Sequence, residues 1–200
     1  MAGVLHHLGV DMGDIEGVEA LAKNAPGNRR QYCGYEDMGV YHALAQCQVN
    51  GIDDPLFAKM DQHIQAYLRD RLASANGQPC GVKAPSFVMT SRCPSLTLWP
   101  MVVVHADRDV DAAIASDIKY RGFSYERAVE RGIMDLALRQ FLTRITPVCT
   151  IRYEDALVSP RYAVAALVNA LDLEPTPDQR QAAIDFIDPV GCQLAERTSK

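Results

Sequence analysis

The sequence predicts an α/β fold with three layers, in which helices cover both faces of a parallel β-sheet. Several segments long enough to form amphipathic helices follow one another along the 200 residues. Short apolar runs lie between them, too brief for helices and bounded by proline or polar residues, as is typical of buried strands. Strands that are separated by helical crossovers form parallel sheets, so this alternation favours the three-layer arrangement.

Four helices are predicted from apolar residues at helical spacing and from signals at their ends. The first has Asp54 as its N-cap and Pro55 in the first helical position, both residues that favour the start of a helix. The last opens at Thr176-Pro177-Asp178 and closes before Pro189. In chain order the four segments are 54–77, 124–144, 161–171 and 176–188.

Three short apolar runs are predicted to be strands, over residues 81–83, 98–105 and 147–152. In parallel α/β sheets, ligands bind beyond the carboxyl ends of the strands. Polar side chains that stand at those predicted ends are therefore candidate site residues: Lys83, His105, Arg108 and Tyr153.

Composition limits the classes of protein to consider. Apolar residues make up 48% and charged residues 22% of the chain, which suits one globular domain over residues 1–200. The net charge of −5, with scattered basic residues, argues against a nucleic-acid partner. The six cysteines show no metal-ligand spacing and no apolar run is long enough to span a bilayer, so we expect reduced thiols, no bound metal, no membrane partner and a cytoplasmic location.

The stretch VVVHADRDVDAAIASDIKY, residues 102–120, raises a specific question about Arg108 and Ser116. If a helix begins near Asp109, its small alanines would let a ligand approach the backbone while the guanidinium and the hydroxyl hold one phosphate. The alternative is structural: Asp109 or Asp111 caps the helix, Arg108 is a solvated charge and Ser116 is exposed. Spacing alone leaves both open.

A strand that is followed by Arg-Asp, six further residues and a Ser resembles the 3′-phosphate-binding segment of sulfotransferases that use 3′-phosphoadenosine 5′-phosphosulfate (PAPS). Further motifs of bacterial members have counterparts in the same order along the chain. The stretch at 8–13 resembles L-G-V-x-M-G, GYED at 34–37 resembles G-x-x-E-D, GVKAP at 81–85 resembles G-x-K-x-P and RYEDAL at 152–157 resembles Y-E-D-L; the segments around Pro160, 171–173 and 186–189 also fit. The resemblance implies the P-loop-NTPase-like sulfotransferase fold over nearly the whole chain.

The resemblance also implies roles for individual residues. Arg108 and Ser116 would hold the 3′-phosphate, and Tyr153 matches a position that can contact the adenine. Lys83 stands where the family places a lysine near the transferred sulfuryl group, and an ammonium there suits the charge that grows on the bridging oxygen. Residue by residue, Lys83 could equally be a surface lysine, Tyr153 a packed core residue, and Glu154 and Asp155 helix-capping groups.

Two departures from the family pattern bear on activity. Residues 1–5 correspond to the helix that follows the family's first strand and its phosphosulfate-binding P-R-S-G-T-S-type loop, and neither that strand nor that loop is present in the sequence. We expect the sequence to begin inside a longer protein, so that the domain is truncated relative to the family; a reorganised sheet or a strand from a partner are the alternatives. The position of the usual catalytic base after the lysine is Ala84. His105, His42, Glu36 and Asp37 remain as substitutes.

The predicted activity is therefore transfer of a sulfuryl group from PAPS to a hydroxyl or amine of a small-molecule or glycan acceptor, with 3′,5′-adenosine bisphosphate as the product. The alternative is a non-catalytic relative that binds a nucleotide or a partner. A nucleotide kinase of similar fold is disfavoured because the chain lacks a GxxxxGK[ST] loop.

Overall fold

The computed structural model describes residues 1–13, 55–83 and 100–187. The chain divides into two compact units, residues 1–100 and 101–200. Their described parts form a mixed α/β structure that is mostly helical and contains a two-stranded parallel sheet. The prediction of one domain over residues 1–200 stays a prediction.

The first unit contains helices α1, Ala2–His7, and α2, Pro55–Ser74. A parallel bridge pairs Asp11 with Cys80, and main-chain hydrogen bonds run from Asp11 N to the Pro79 carbonyl and from Gly81 N to the Asp11 carbonyl. The bridge thus joins the segment after α1 to the segment after α2. Apolar side chains from both segments and both helices are buried around it: Val4, Leu5, Leu8, Val10, Met12, Ile64 and Ala75.

The second unit carries the sheet. Its elements in chain order are β1 Val103–Asp107, α3 Val110–Arg121, α4 Tyr125–Ile145, β2 Val148–Arg152, α5 Tyr153–Val158, α6 Pro160–Ala170 and α7 Pro177–Phe186. Helix α6 packs against β2, α5 and α7, while α3 packs against α4. Leu167 on α6 and Ala183 on α7 are completely buried, so this pair of helices forms the centre of the unit's core.

The two strands pair in parallel, from Val103 opposite Val148 to Asp107 opposite Arg152. The strand predicted at 147–152 is confirmed with a start one residue later. The strand predicted at 98–105 instead begins at Val103 and continues to Asp107; residues 98 and 99 lie outside the described part. No strand forms over 81–83, where the backbone is irregular after the single bridge at Cys80.

The predicted helices are confirmed to within a few residues, and their caps agree with the sequence. Ser124 accepts a hydrogen bond from the Arg127 N–H at the start of α4. Thr176 and Gln179 form a reciprocal capping box at the start of α7, with Pro177 in the first turn. The predicted cap Asp54 lies outside the described residues. None of the helices in the described ranges combines the length and the apolar content needed to cross a bilayer.

Candidate functional site

The carboxyl end of the two-stranded sheet brings Arg108 and Tyr153 together. Asp107 and Arg152 are the last paired residues of β1 and β2, and they lie opposite each other. The next residue in each chain segment is Arg108 or Tyr153. Parallel strands end at the same edge, so both side chains stand at one rim, the position at which α/β sheets bind ligands.

The Arg108 guanidinium lies over the Tyr153 ring, with Cζ 5.2 Å from the ring centroid. A cation at this distance is attracted by the negative face of the ring. The Nε atom of Arg108 is buried and has no hydrogen-bond partner among the described residues. A buried donor without a partner is costly, so the arrangement suits an acceptor such as a phosphate oxygen.

The backbone on both sides of Arg108 is held by other groups. Before it, the Asp107 carboxylate is bound at 2.8 Å by Nη1 of Arg139 from α4. After it, Asp109 caps α3 by accepting a hydrogen bond from the Ala112 N–H at 2.9 Å. The Asp109 N–H in turn donates to Oε1 of Glu154 at 3.2 Å. The helix start that the sequence predicted near Asp109 is thus confirmed, with Asp109 as the cap.

Ser116 lies half-buried on α3, the helix that begins directly after Arg108. It stands about 9 Å along the axis from the first residue of the helix, since each residue rises about 1.5 Å. Its spacing of four from Ala112 and three from Ala113 puts all three residues on one face. The face that leads from Arg108 to Ser116 is therefore lined by small side chains. Within the described ranges no hydrogen bond joins the two residues.

Lys83 belongs to the first unit, where it follows the bridge at Cys80 in irregular backbone. Burial and the nearby Lys83 charge lower the pKa of the Met1 amino group to about 6, so Lys83 lies near the start of α1. The glycine of the G-x-K pattern packs closely: a Cβ at Gly81 would lie 2.7 Å from the Met12 sulfur. A larger residue at position 81 would require the Met12 side chain to move.

The candidate bases are not assembled at the rim. His105 is in the middle of β1, opposite Thr150, and not at the strand end as predicted, because β1 continues to Asp107. Its Nδ1 is buried with no hydrogen-bond partner in the described part of the chain, which is unfavourable for reaching an acceptor hydroxyl. His42, Glu36, Asp37 and Ala84 lie outside the described residues.

His105 should make stability depend on pH. Burial, and then the charge of Arg139, lower its pKa below the ordinary 6.5, while Asp107 and Asp135 act in the opposite direction. The unfolded chain then takes up a proton at a higher pH than the folded chain does, so the free energy of unfolding decreases as the pH falls below 6.5. Urea unfolding at about pH 7.5 and about pH 5.5 should show a smaller difference for His105→Gln than for wild type. Equal differences would contradict this assignment.

Two side chains, those of Glu154 and Arg71, make contacts that were not predicted from the sequence. Glu154 reaches across the rim to the Asp109 backbone, and Arg71 on α2 binds the carbonyls of Asp11 and Gly81. Their partners are 45, 60 and 10 residues away in sequence, respectively. Locally, the sequence shows only that Arg71 lies on an amphipathic helix and that Glu154 follows a strand. Neither observation identifies the partner of the side chain.

Neither a metal site in the described residues nor a similar protein assigns a function to this chain. Among residues 1–13, 55–83 and 100–187, no group of three or more histidine, cysteine or acidic side chains could hold a metal ion. Cys80 and Cys149 are free, half-buried thiols. No protein-family model, no curated protein and no solved structure matches this chain. The residues at the sheet rim and their contacts therefore carry the inference of function.

Proposed function

We propose that the chain has the three-layer, P-loop-NTPase-like sulfotransferase fold and transfers a sulfuryl group from PAPS to a hydroxyl or amine acceptor. The observation that carries this proposal is Arg108 at the carboxyl rim, with a buried Nε that has no hydrogen-bond partner among the described residues and a guanidinium that lies over Tyr153. Its spacing from Ser116 resembles that of the PAPS-binding segment, and its position after a strand of a parallel pair supports a role in ligand binding.

The residues present fit the nucleotide at its 3′-phosphate side. Arg108 supplies a planar set of donors that matches phosphate geometry, and Ser116 supplies a hydroxyl on the alanine-lined face of the same helix. The Tyr153 ring lies against the guanidinium. Because the ring is flat, it also offers a surface on which an adenine base can stack. When bound, PAPS supplies the activated sulfuryl group.

Lys83 is the proposed catalytic residue of the first unit. Sulfuryl transfer requires charge neutralisation at the bridging oxygen more than covalent chemistry, so a fixed ammonium is a suitable group. Its position near the start of α1 supports this role, because the family resemblance assigns the phosphosulfate side of the site to that helix. The acceptor, a small molecule or a glycan, would be chosen by loops around the rim. We also propose a cytoplasmic location.

The residue that follows Lys83 supports a second candidate function. Ala84 cannot accept a proton, so the acceptor hydroxyl has no base at the usual position. A non-catalytic protein that binds the same nucleotide is the alternative. Both functions require nucleotide binding at Arg108, and only the transferase converts PAPS to product.

Calorimetric titration separates these possibilities. Wild type should bind 3′,5′-adenosine bisphosphate at least roughly tenfold more tightly than 5′-adenosine monophosphate, because only the former presents a phosphate to Arg108. Equal affinities, or no binding of either nucleotide, would refute the nucleotide site. Sulfur-labelled PAPS with a panel of hydroxyl and amine acceptors then decides between the two functions: labelled product supports the transferase, and binding without transfer supports the non-catalytic protein.

A further inference from the structure

The carboxylate of Glu154 joins the ends of the two strands. Glu154 follows β2 by two residues, and its Oε1 accepts a hydrogen bond at 3.2 Å from the N–H of Asp109, which follows β1 by two residues. The contact spans 45 residues of sequence. It therefore links the start of α5 to the N-cap of α3, beyond Asp107 and Arg152, the last residues that the sheet pairs.

The N–H that Glu154 binds has a particular place in the backbone. It belongs to the peptide between Arg108 and Asp109, and Asp109 is the N-cap of α3. The amide groups at the start of a helix have no partner within the helix, so side chains or water satisfy them. The Asp109 side chain satisfies the Ala112 amide, and Glu154 satisfies the amide of Asp109 itself.

We propose that Glu154 is a positioning residue for Arg108: it fixes the peptide that carries the guanidinium and so holds it at the anion-binding rim. This inference rests on the proposed nucleotide site. Two neighbouring contacts define the geometry. Arg139 binds the side chain of Asp107 just before Arg108, and Arg108 in turn lies over Tyr153, the residue that precedes Glu154. Without the Glu154 bond, the peptide after Arg108 loses its only anchor to the second strand end among the described contacts.

The proposed role of Glu154 requires its accepting oxygen and does not require its negative charge. One carboxylate oxygen makes the contact, and the other, Oε2, is buried with no hydrogen-bond partner in the described ranges. A negative charge close to a phosphate site opposes anion binding. A neutral side chain that keeps the accepting oxygen should therefore preserve, or slightly raise, the affinity for a phosphate. This separates positioning by hydrogen bond from any direct electrostatic role.

The experiment compares Glu154→Ala, Glu154→Gln and a matched control, Asp155→Ala, which removes the exposed carboxylate of the adjacent residue. Each variant of the 200-residue chain is titrated with 3′,5′-adenosine bisphosphate and with 5′-adenosine monophosphate. Glu154→Ala should weaken binding of the bisphosphate about tenfold and that of the monophosphate little, since only one of them uses Arg108. Glu154→Gln should bind the bisphosphate at least as tightly as wild type, and Asp155→Ala should be unchanged.

Each other outcome overturns the inference. Tighter binding by both Glu154 variants would show that the carboxylate acts only by repelling the anion. Equal weakening by Ala and Gln would show that the charge is required. An equal loss for both nucleotides would indicate a general structural role. If Glu154→Ala does not fold, Glu154→Met, which keeps most of the side-chain volume but also lacks an accepting oxygen, takes its place in the comparison with the Gln variant. Wild type that binds no bisphosphate refutes the proposed function itself, whereas binding that needs Arg108 but not Glu154 refutes only this inference.

Discussion

Arg108→Ala should lower the affinity for 3′,5′-adenosine bisphosphate by roughly 100-fold and leave the affinity for 5′-adenosine monophosphate nearly unchanged. The guanidinium can donate two parallel hydrogen bonds to one phosphate, and each charge-assisted bond contributes about 1.5–3 kcal/mol. The unpartnered Nε lies at the rim, where alanine offers no donor in its place. Calorimetric titration of both nucleotides measures the effect directly.

The conservative variant and an exposed arginine serve as controls. Arg108→Lys keeps the charge but loses the planar set of donors, so its affinity should lie between those of wild type and Arg108→Ala. Arg161→Ala removes an exposed arginine at the start of α6 and should bind both nucleotides like wild type. Full retention of bisphosphate binding by Arg108→Ala would remove the chemical basis of the sulfotransferase proposal and leave only a mixed α/β protein.

Elements whose signals are local could be predicted well from the sequence. A capping side chain and the amide that it binds are three residues apart, so Ser124 and Thr176 identify helix starts without knowledge of the rest of the fold. Strand ends behave differently because they depend on the partner. β1 continues past His105 because Ala106 and Asp107 find Ile151 and Arg152 opposite them. The apolar pattern of β1 itself stops earlier, and the prediction stopped with it.

The predicted strand at 81–83 illustrates the same dependence. Its short apolar run suggested a buried strand, but the pairing is limited to one bridge between Asp11 and Cys80. Arg71 donates to the Gly81 carbonyl, the acceptor that the next bond of a parallel ladder would use, and also to the Asp11 carbonyl, which already accepts from the Gly81 N–H. A side chain from a helix thus takes the place that further ladder bonds would have in a regular strand pair, which no pattern within residues 81–83 could reveal.

The sequence could predict which residues stand at the candidate site, but it could not predict the contacts between them. Arg108 and Tyr153 each follow an apolar run, so their position at a common rim follows from parallel pairing. That they touch depends on register: Asp107 lies opposite Arg152, and a shift of one residue would separate them. The bond from Asp109 to Glu154 depends on the same register and is equally absent from the local sequence.

Arg71→Met should have the largest effect on stability, lowering the free energy of unfolding of the first unit by about 3 kcal/mol. Arg71 is 8% exposed, and its contacts include Nη1 with the Gly81 carbonyl at 2.9 Å and Nη2 with the Asp11 carbonyl at 2.8 Å and the Asp11 carboxylate at 3.0 Å. Methionine fills much of the volume but donates nothing, so the Gly81 carbonyl loses the Arg71 hydrogen bond and the Asp11 carbonyl keeps only the bond from the Gly81 N–H.

Hydrogen exchange measured by mass spectrometry locates this effect. Faster exchange is expected around the bridge, at the amides of Asp11 and Gly81 that donate across it, because their opening no longer breaks the Arg71 contacts. Asp11→Asn should cost less than about 1 kcal/mol, since its side chain is 45% exposed and the main-chain bonds of Arg71 remain. Arg69→Ala removes an exposed arginine on the same helix and should leave the free energy of unfolding unchanged. If Arg71→Met cost no more than Arg69→Ala, the carbonyl contacts would not be what holds the two segments of the bridge together.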